Sequence, residues 1–188
     1  MNIKEKSIGI LGLLSVLILI TSLLIFGFIN TEFSFLNDFI SKLGAKGEPN
    51  ALWFNVFGFI TVGVLHFVFG LTYGKLLNDK LLSFLLALFG LGFAFTAIPI
   101  DMQFSRTPIS KAHIVAICLS LAFWLLGLSR LGSNQQLKRK IKIRANLTAV
   151  VLVISVMGFV FRFWSMPITH RLVIWNCFWM DSFNLYRT

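Results

Sequence analysis

Long apolar runs without charged residues alternate with short polar segments along the chain. The uncharged runs cover residues 7–31, 49–74, 81–100, 112–129 and 145–161. A sixth and weaker run, over residues 170–186, is interrupted by Asp181. Crossing the hydrocarbon core of a bilayer takes about 20 apolar residues, and a helix pairs all of its backbone groups within itself there. The runs therefore predict membrane-spanning helices.

The predicted fold class is an all-α membrane protein, a six-transmembrane-helix bundle with a short interfacial helix between helices 1 and 2. We predict one domain, residues 1–188, with spans at about 8–29, 52–73, 81–98, 112–130, 145–162 and 170–186. The composition fits this class, because 57% of residues are hydrophobic and 13% are charged, against about 45–50% and about 25% in soluble domains.

The net charge of +10 raises the question of nucleic-acid binding. The basic residues stand between apolar runs and form no continuous patch, so we expect no nucleic-acid partner. Lys and Arg are densest in the segment KRKIKIR, residues 138–144. The positive-inside rule then predicts a multi-pass protein of the cell (plasma or inner) membrane with cytoplasmic N- and C-termini.

Three helices show polar or small residues at helical spacing. The third carries a stripe of small residues, which lets neighbouring backbones approach closely and predicts a central position: Ser83, Ala87, Gly90, Ala94 and Ala97. The second and fifth helices align Asn55, Gly58, His66 and Gly70, and Thr148, Ser155 and Arg162, respectively. An ionisable group within a membrane is a functional-site hypothesis, but His66 is equally explained by a hydrogen bond to a neighbouring helix.

The first predicted outer connection has the pattern of an amphipathic helix. Its apolar residues fall at positions i, i+3, i+4 and i+7, from Leu36 to Leu43, a spacing that predicts a helix lying in the membrane interface. Gly44 follows as a C-terminal cap. The helix either ties down a loop or forms a lid that presents Asn37 or Asp38 to a cavity.

The other two outer connections bring further polar residues to the same side. Asp101 follows the third helix, Ser110 is a predicted N-cap, and His113 lies in the first turn of the fourth helix. His170 and Arg171 open the sixth helix, where the arginine either snorkels or binds a phosphate or carboxylate. We predict a polar site on the outer face formed by Asn37, Asp38, Ser41, Asn55, Asp101, His113, His170 and Arg171.

Three segments, NDFISKLGAKGEPNALWFNVFGF, IPIDMQ…H and THRLVIWNCFW, resemble the prokaryotic membrane family known as domain of unknown function 998. The resemblance extends from about residue 8 to residue 186, and its marks are Ser41, Leu43, Gly44, Phe54, Asn55, Pro99, Asp101, His113, Arg171 and Trp179. It implies a six-helix integral membrane protein and no particular activity. This chain has His170 where the family leads us to expect Glu before Arg171.

Two classes of function stay open. The first is a structural or accessory protein, or one that binds a lipid or small amphiphile at the outer polar site, with the lipid bilayer as its surroundings. The alternative is a metal-dependent membrane hydrolase in which Asp101, His113 and His170 hold zinc, since zinc takes such ligands and activates water. The sequence decides neither whether the protein is an enzyme nor its oligomeric state.

Overall fold

The computed structural model of the protein describes residues 3–103 and 106–184, and in this part of the chain all regular structure is helical. A 3-10 helix, Ile40–Gly44, separates the first two long helices. The long helices are α1 (Ile3–Ile29), α2 (Ala51–Leu76), α3 (Lys80–Phe95), α4 (Pro108–Ser133), α5 (Arg139–Val160) and α6 (Met166–Asn184). Within α2, a π-helical segment runs from Asn55 to Thr61.

Four of these helices are long and apolar enough to cross a membrane: Ser7–Ile29 of α1, α2, α4 and α5. The protein is therefore a multi-pass membrane protein, as predicted. The apolar helix α3 has 16 residues and is about 24 Å long at 1.5 Å per residue, which is short of a hydrocarbon core of about 30 Å. That all six helices span the membrane stays a prediction.

The six helices form a closed ring in chain order. Each helix packs against the helices before and after it, and α1 also packs against α6. The prediction of a central α3 is wrong, because α3 occupies one place in the ring, between α2 and α4. A ring of this kind brings every second connection to the same end of the bundle.

The small-residue stripe of α3 nevertheless does what its spacing predicts. It packs against glycines of α2 in register, with Ser83 at Gly74, Ala87 at Gly70 and Ala94 at Gly63. Gly90 approaches closest, since a Cβ added there would lie 2.3 Å from the backbone nitrogen of Phe67. Helices that meet backbone to backbone gain van der Waals contact that larger residues would prevent.

One end of the ring is covered by the segment of residues 31–50, which we call the cap segment. Its side chains Phe33, Ile40 and Leu43 are buried with Phe54 and Phe59 of α2 in one apolar cluster. The cap segment thus closes an apolar core. We call this end of the molecule the capped end.

The predicted amphipathic α-helix from Leu36 to Leu43 is wrong in extent and in place. Only the 3-10 helix Ile40–Gly44 is helical there, and residues 35–37 form a turn. The side chain of Leu36 is 79% exposed, whereas Ile40 and Leu43 point into the protein core. Burial against α2 has replaced the lipid contact that the spacing predicted.

Candidate functional site

Arg171, in the second turn of α6, fastens the cap segment to the bundle. Its guanidinium donates to the backbone carbonyl of Phe35, to that of Asp38 at 3.1 Å and to that of Pro167 at 2.6 Å. The planar guanidinium can serve several acceptors at once. Arg171 therefore binds the protein's own backbone, and its donors are directed to carbonyls that a phosphate or carboxylate ligand would have to displace.

The carboxylate of Asp38 is held within the cap segment. It accepts hydrogen bonds from the Ser34 backbone N–H at 2.8 Å and from the Lys42 ammonium at 2.9 Å. Burial alone would raise the pKa of Asp38, but these two donors and the positive charge of Arg171 together hold the pKa below its ordinary value. Asn37 is exposed and donates to Ser34 Oγ. Both side chains are therefore held by hydrogen bonds within the cap segment, and the lid stays a prediction.

Asn55 connects the cap segment to α2. Its side-chain amide donates to the carbonyl of Gly44 at 2.9 Å, and both residues are buried. A Cβ on Gly44 would lie 2.0 Å from Asn55 Oδ1. Gly44 is thus required by the close approach of Asn55, and its predicted role as an α-helical cap is wrong.

A second buried amide holds the far end of the cap segment, and the sequence did not single it out. Asn30, at the end of α1, donates from Nδ2 to the carboxylate of Glu48 at 2.7 Å. Only 2% of the surface of Asn30 is exposed. A lone Asn after an apolar run carries no signal of its partner, so spacing could not have found this contact.

Asp101 stabilises the connection between α3 and α4. Its carboxylate accepts from the Gln103 backbone N–H at 3.0 Å and lies 3.7 Å from the Lys46 ammonium. The Asp101 N–H donates to Ser110 Oγ at 3.1 Å. The predicted N-cap is wrong by three residues, because Thr107 caps α4 by accepting from the N–H of Ser110.

Among the predicted site residues, His113 has a buried ring nitrogen without a hydrogen-bond partner in the described part of the chain. It is 3% exposed, and its Nδ1 lies 2.8 Å from the carbonyl oxygen of Ile98. A carbonyl only accepts, so Nδ1 carries the proton and the Nε2 of a neutral ring is an acceptor. Nε2 is buried and has no hydrogen-bond partner among the described residues, and the backbone carbonyl of Thr96 also interacts with the ring. His170 is near enough to interact electrostatically with His113, and its ring meets that of Phe39 edge-on at 6.1 Å.

The predicted site residues therefore fall into two connected groups. The first contains Asp38 and Arg171 with the cap segment, and the second contains Asp101 and His113 at the connection between α3 and α4. A backbone hydrogen bond of 2.8 Å from the Lys46 N–H to the Ile100 carbonyl joins them. Ser41 belongs to the cap segment and is buried.

A comparison with known protein families matches most of the chain. The family model described as Protein of unknown function (DUF998) matches residues 13–175. The chain belongs to the DUF998 family. No curated protein and no solved structure matches the chain.

In this DUF998 protein, most marks of the resemblance lie at the capped end. Ser41, Leu43 and Gly44 belong to the 3-10 helix, and Phe54 and Asn55 lie on α2 beneath it. Trp179, like Asp181, has a side chain outside the described residues. The segments that carry the resemblance thus meet in space around the cap segment.

The predicted zinc ligands Asp101, His113 and His170 do not form a cluster in the DUF998 chain. Among the described residues, no group of three His, Cys, Asp or Glu side chains is arranged to hold a metal ion. The carboxylate of Asp101 caps its own turn, and Nδ1 of His113 is committed to Ile98. A tetrahedral site with an open position needs three protein ligands, which this geometry does not provide.

The remaining polar residues hold helices together. His66 of α2 is within 3.3 Å of Ser15 Oγ on α1, so the helix-to-helix hydrogen bond is the interpretation that the structure supports. Thr148 and Ser155 of α5 are buried as their spacing predicted. Arg162 lies beyond the end of α5 and is exposed, and its alignment with that face is wrong.

Proposed function

We propose that the protein binds a lipid or small amphiphile at its capped end, through His113 with His170 beside it. The observation that carries this proposal is the buried Nε2 of His113, which has no partner among the described residues. A buried polar atom without a hydrogen bond costs about 1–3 kcal/mol. A ligand that donates a hydrogen bond to Nε2 recovers that cost.

The chemistry of Nε2 specifies the ligand. Since Nδ1 donates to Ile98, Nε2 of the neutral ring accepts, and the ligand must present a donor such as a hydroxyl group. The ring of Phe39 lies against His170, and this apolar side chain suits a tail next to the donor. A hydroxyl-bearing amphiphile meets both requirements.

The cap segment supplies the enclosure. It is fastened to α6 by Arg171, to α2 by Asn55 and to the end of α1 by Asn30. A site beneath it is separated from water, which strengthens a single hydrogen bond. In this proposal, these hydrogen bonds of the cap segment have a structural role, and His113 and His170 recognise the ligand.

Two substitutions of His113 separate ligand binding from folding. An Asn amide nitrogen takes the position of Nδ1 and a Gln amide takes that of Nε2. His113→Asn therefore keeps the bond to Ile98 and removes the acceptor, whereas His113→Gln keeps an acceptor and loses that bond. We expect the first to fold and lose its amphiphile, and the second to be less stable.

The assay is mass spectrometry of lipids that co-purify in mild detergent with the wild-type protein and each variant. Enrichment of a hydroxyl-bearing amphiphile with the wild type, and its loss from folded His113→Asn, supports the proposal. If the wild type and His113→Asn carry the same lipids in the same amounts, the proposal is refuted.

A further inference from the structure

The end of the ring opposite the capped end carries the strongest charge of the molecule. Five of the seven residues 138–144 are basic: Lys138, Arg139, Lys140, Lys142 and Arg144. The sequence contains no Asp or Glu between Asp101 and Asp181, so α4, α5 and the connection between them hold only positive charge. We call residues 138–144 the basic segment.

The backbone of the basic segment is fixed. Ile141 and Ala145 are buried in the bundle from the first turns of α5. Lys138, Arg139 and Lys140 are therefore held outside it, and all three are exposed. The positive charges occupy defined positions on a packed helix.

These charges repel one another in the folded protein. Lys138 and Lys142 are four residues apart, as are Lys140 and Arg144, and like charges at this spacing destabilise a helix. They also stand at the N-terminus of α5, where the helix dipole adds positive potential. No side chain caps this helix, and its first turn contains no acidic residue.

Four residues of the basic segment lack a counter-charge among the described residues. No described carboxylate is within ion-pair distance of Lys138, Arg139, Lys140 or Lys142. Asp79 lies at the same end of the bundle, but its carboxylate is bound to Arg130 at 2.8 Å. Anions from outside the protein would relieve the repulsion.

We propose that the basic segment binds the phosphate groups of anionic phospholipids. α5 is long and apolar enough to span a membrane, and its 22 residues measure about 33 Å at 1.5 Å per residue. Its charged end consequently lies at the depth of the head groups of a bilayer with a core of about 30 Å. Ile143 is 53% exposed among the charges, which fits contact with acyl chains better than contact with a soluble polyanion.

The test uses the full chain in nanodiscs made from equal parts of phosphatidylglycerol and phosphatidylcholine, with native mass spectrometry of the lipids retained by the protein. Each basic residue near an anionic surface strengthens binding roughly fivefold. We expect the triple variant Lys138→Gln, Arg139→Gln and Lys140→Gln to bind phosphatidylglycerol on the order of a hundredfold more weakly. Added salt should weaken binding by the wild type, because it screens exposed charges.

A matched control removes three charges from exposed residues at the capped end: Arg106→Gln, Lys111→Gln and Arg162→Gln. This variant should retain phosphatidylglycerol as the wild type does. The single variant Lys140→Gln should bind phosphatidylglycerol about fivefold more weakly, and it provides a test if the triple variant misfolds. The folding of the triple variant is checked by the helical circular dichroism signal in pure phosphatidylcholine.

Three results would overturn the proposal. The wild type could retain both lipids equally, or the two triple variants could lose phosphatidylglycerol to the same degree. Finally, the basic-segment variant could keep its phosphatidylglycerol while losing binding of a single-stranded oligonucleotide, which would assign the charges to nucleic acid.

Discussion

Replacing Gly44 with Ala tests how the cap segment is attached to the bundle. The added Cβ would lie 2.0 Å from Asn55 Oδ1, which is far inside van der Waals contact. The carboxamide of Asn55 must then rotate, because it is the nearest group. Its rotation breaks the 2.9 Å hydrogen bond from Nδ2 to the Gly44 carbonyl.

Two costs follow from that movement. Leaving a buried polar group without its partner costs about 1–3 kcal/mol, and overpacking a filled core costs about 1–3 kcal/mol. Both residues are buried, so water cannot replace the lost bond. We expect Gly44→Ala to lower the free energy of unfolding by about 2–6 kcal/mol.

The assay is equilibrium unfolding in mild detergent, carried out as a double-mutant cycle with Asn55→Ala. Residues in contact show non-additive effects in such a cycle. If the clash with Asn55 is the cause, Gly44→Ala should cost much less in the Asn55→Ala background than in the wild type. Equal costs in the two backgrounds, or a stable single variant, would refute the reasoning.

Two further predictions concern charged side chains. Arg171→Lys should loosen the cap segment, because the guanidinium reaches its carbonyls from two separate nitrogens and a compact ammonium does not span them. Limited trypsin digestion should then cleave the cap segment faster, and an unchanged rate would contradict this. Burial alone would raise the pKa of Asp79, but hydrogen bonds from the Leu82 N–H and Arg130 hold this pKa below its ordinary value. The stabilisation by ionised Asp79 is therefore present above the unfolded pKa of about 4 and is lost as the pH falls through the folded pKa. Asp79→Asn should therefore lower the melting temperature at pH 7 and reduce its decline towards acid pH, and an unchanged pH dependence would contradict this.

The long helices and their close packing could be predicted from the sequence because both depend on one-dimensional spacing. Apolar runs located all six helices. The stripe from Ser83 to Ala97 predicted a close approach of backbones, and the structure shows that α2 is the helix that approaches. The stripe could not predict that α3 lies between α2 and α4, because the spacing of residues along one helix does not show which helices pack against it.

The cap segment could not be predicted because its structure depends on tertiary contacts. The apolar spacing from Leu36 to Leu43 is compatible with a helix in lipid, but the segment instead buries Ile40 and Leu43 beside α2. Its attachments are made to backbone carbonyls, at Gly44 by Asn55 and at Phe35 by Arg171. Carbonyls are present at every residue, so the sequence does not show which of them a side chain will bind.

The same reasoning explains why the end that holds the candidate site was predictable and its chemistry was not. Polar residues at the ends of apolar runs must gather at the ends of a bundle, and Asp101, His113 and His170 do so. Their partners are set by local geometry, since Asp101 turns to Gln103 and His113 to Ile98. These backbone hydrogen bonds still leave Nε2 of His113 and one oxygen of Asp101 able to coordinate a metal, but the described residues do not bring three such groups together.

His170 stands where the family resemblance leads us to expect an acid. A carboxylate at that position, next to Arg171, would compete with the carbonyls of the cap segment for the guanidinium. A histidine leaves the guanidinium on Phe35 and Asp38 and places a second ring near His113. A histidine at position 170 is therefore compatible with a firmly attached cap segment, and it lies near enough to His113 to belong to the amphiphile site that we propose.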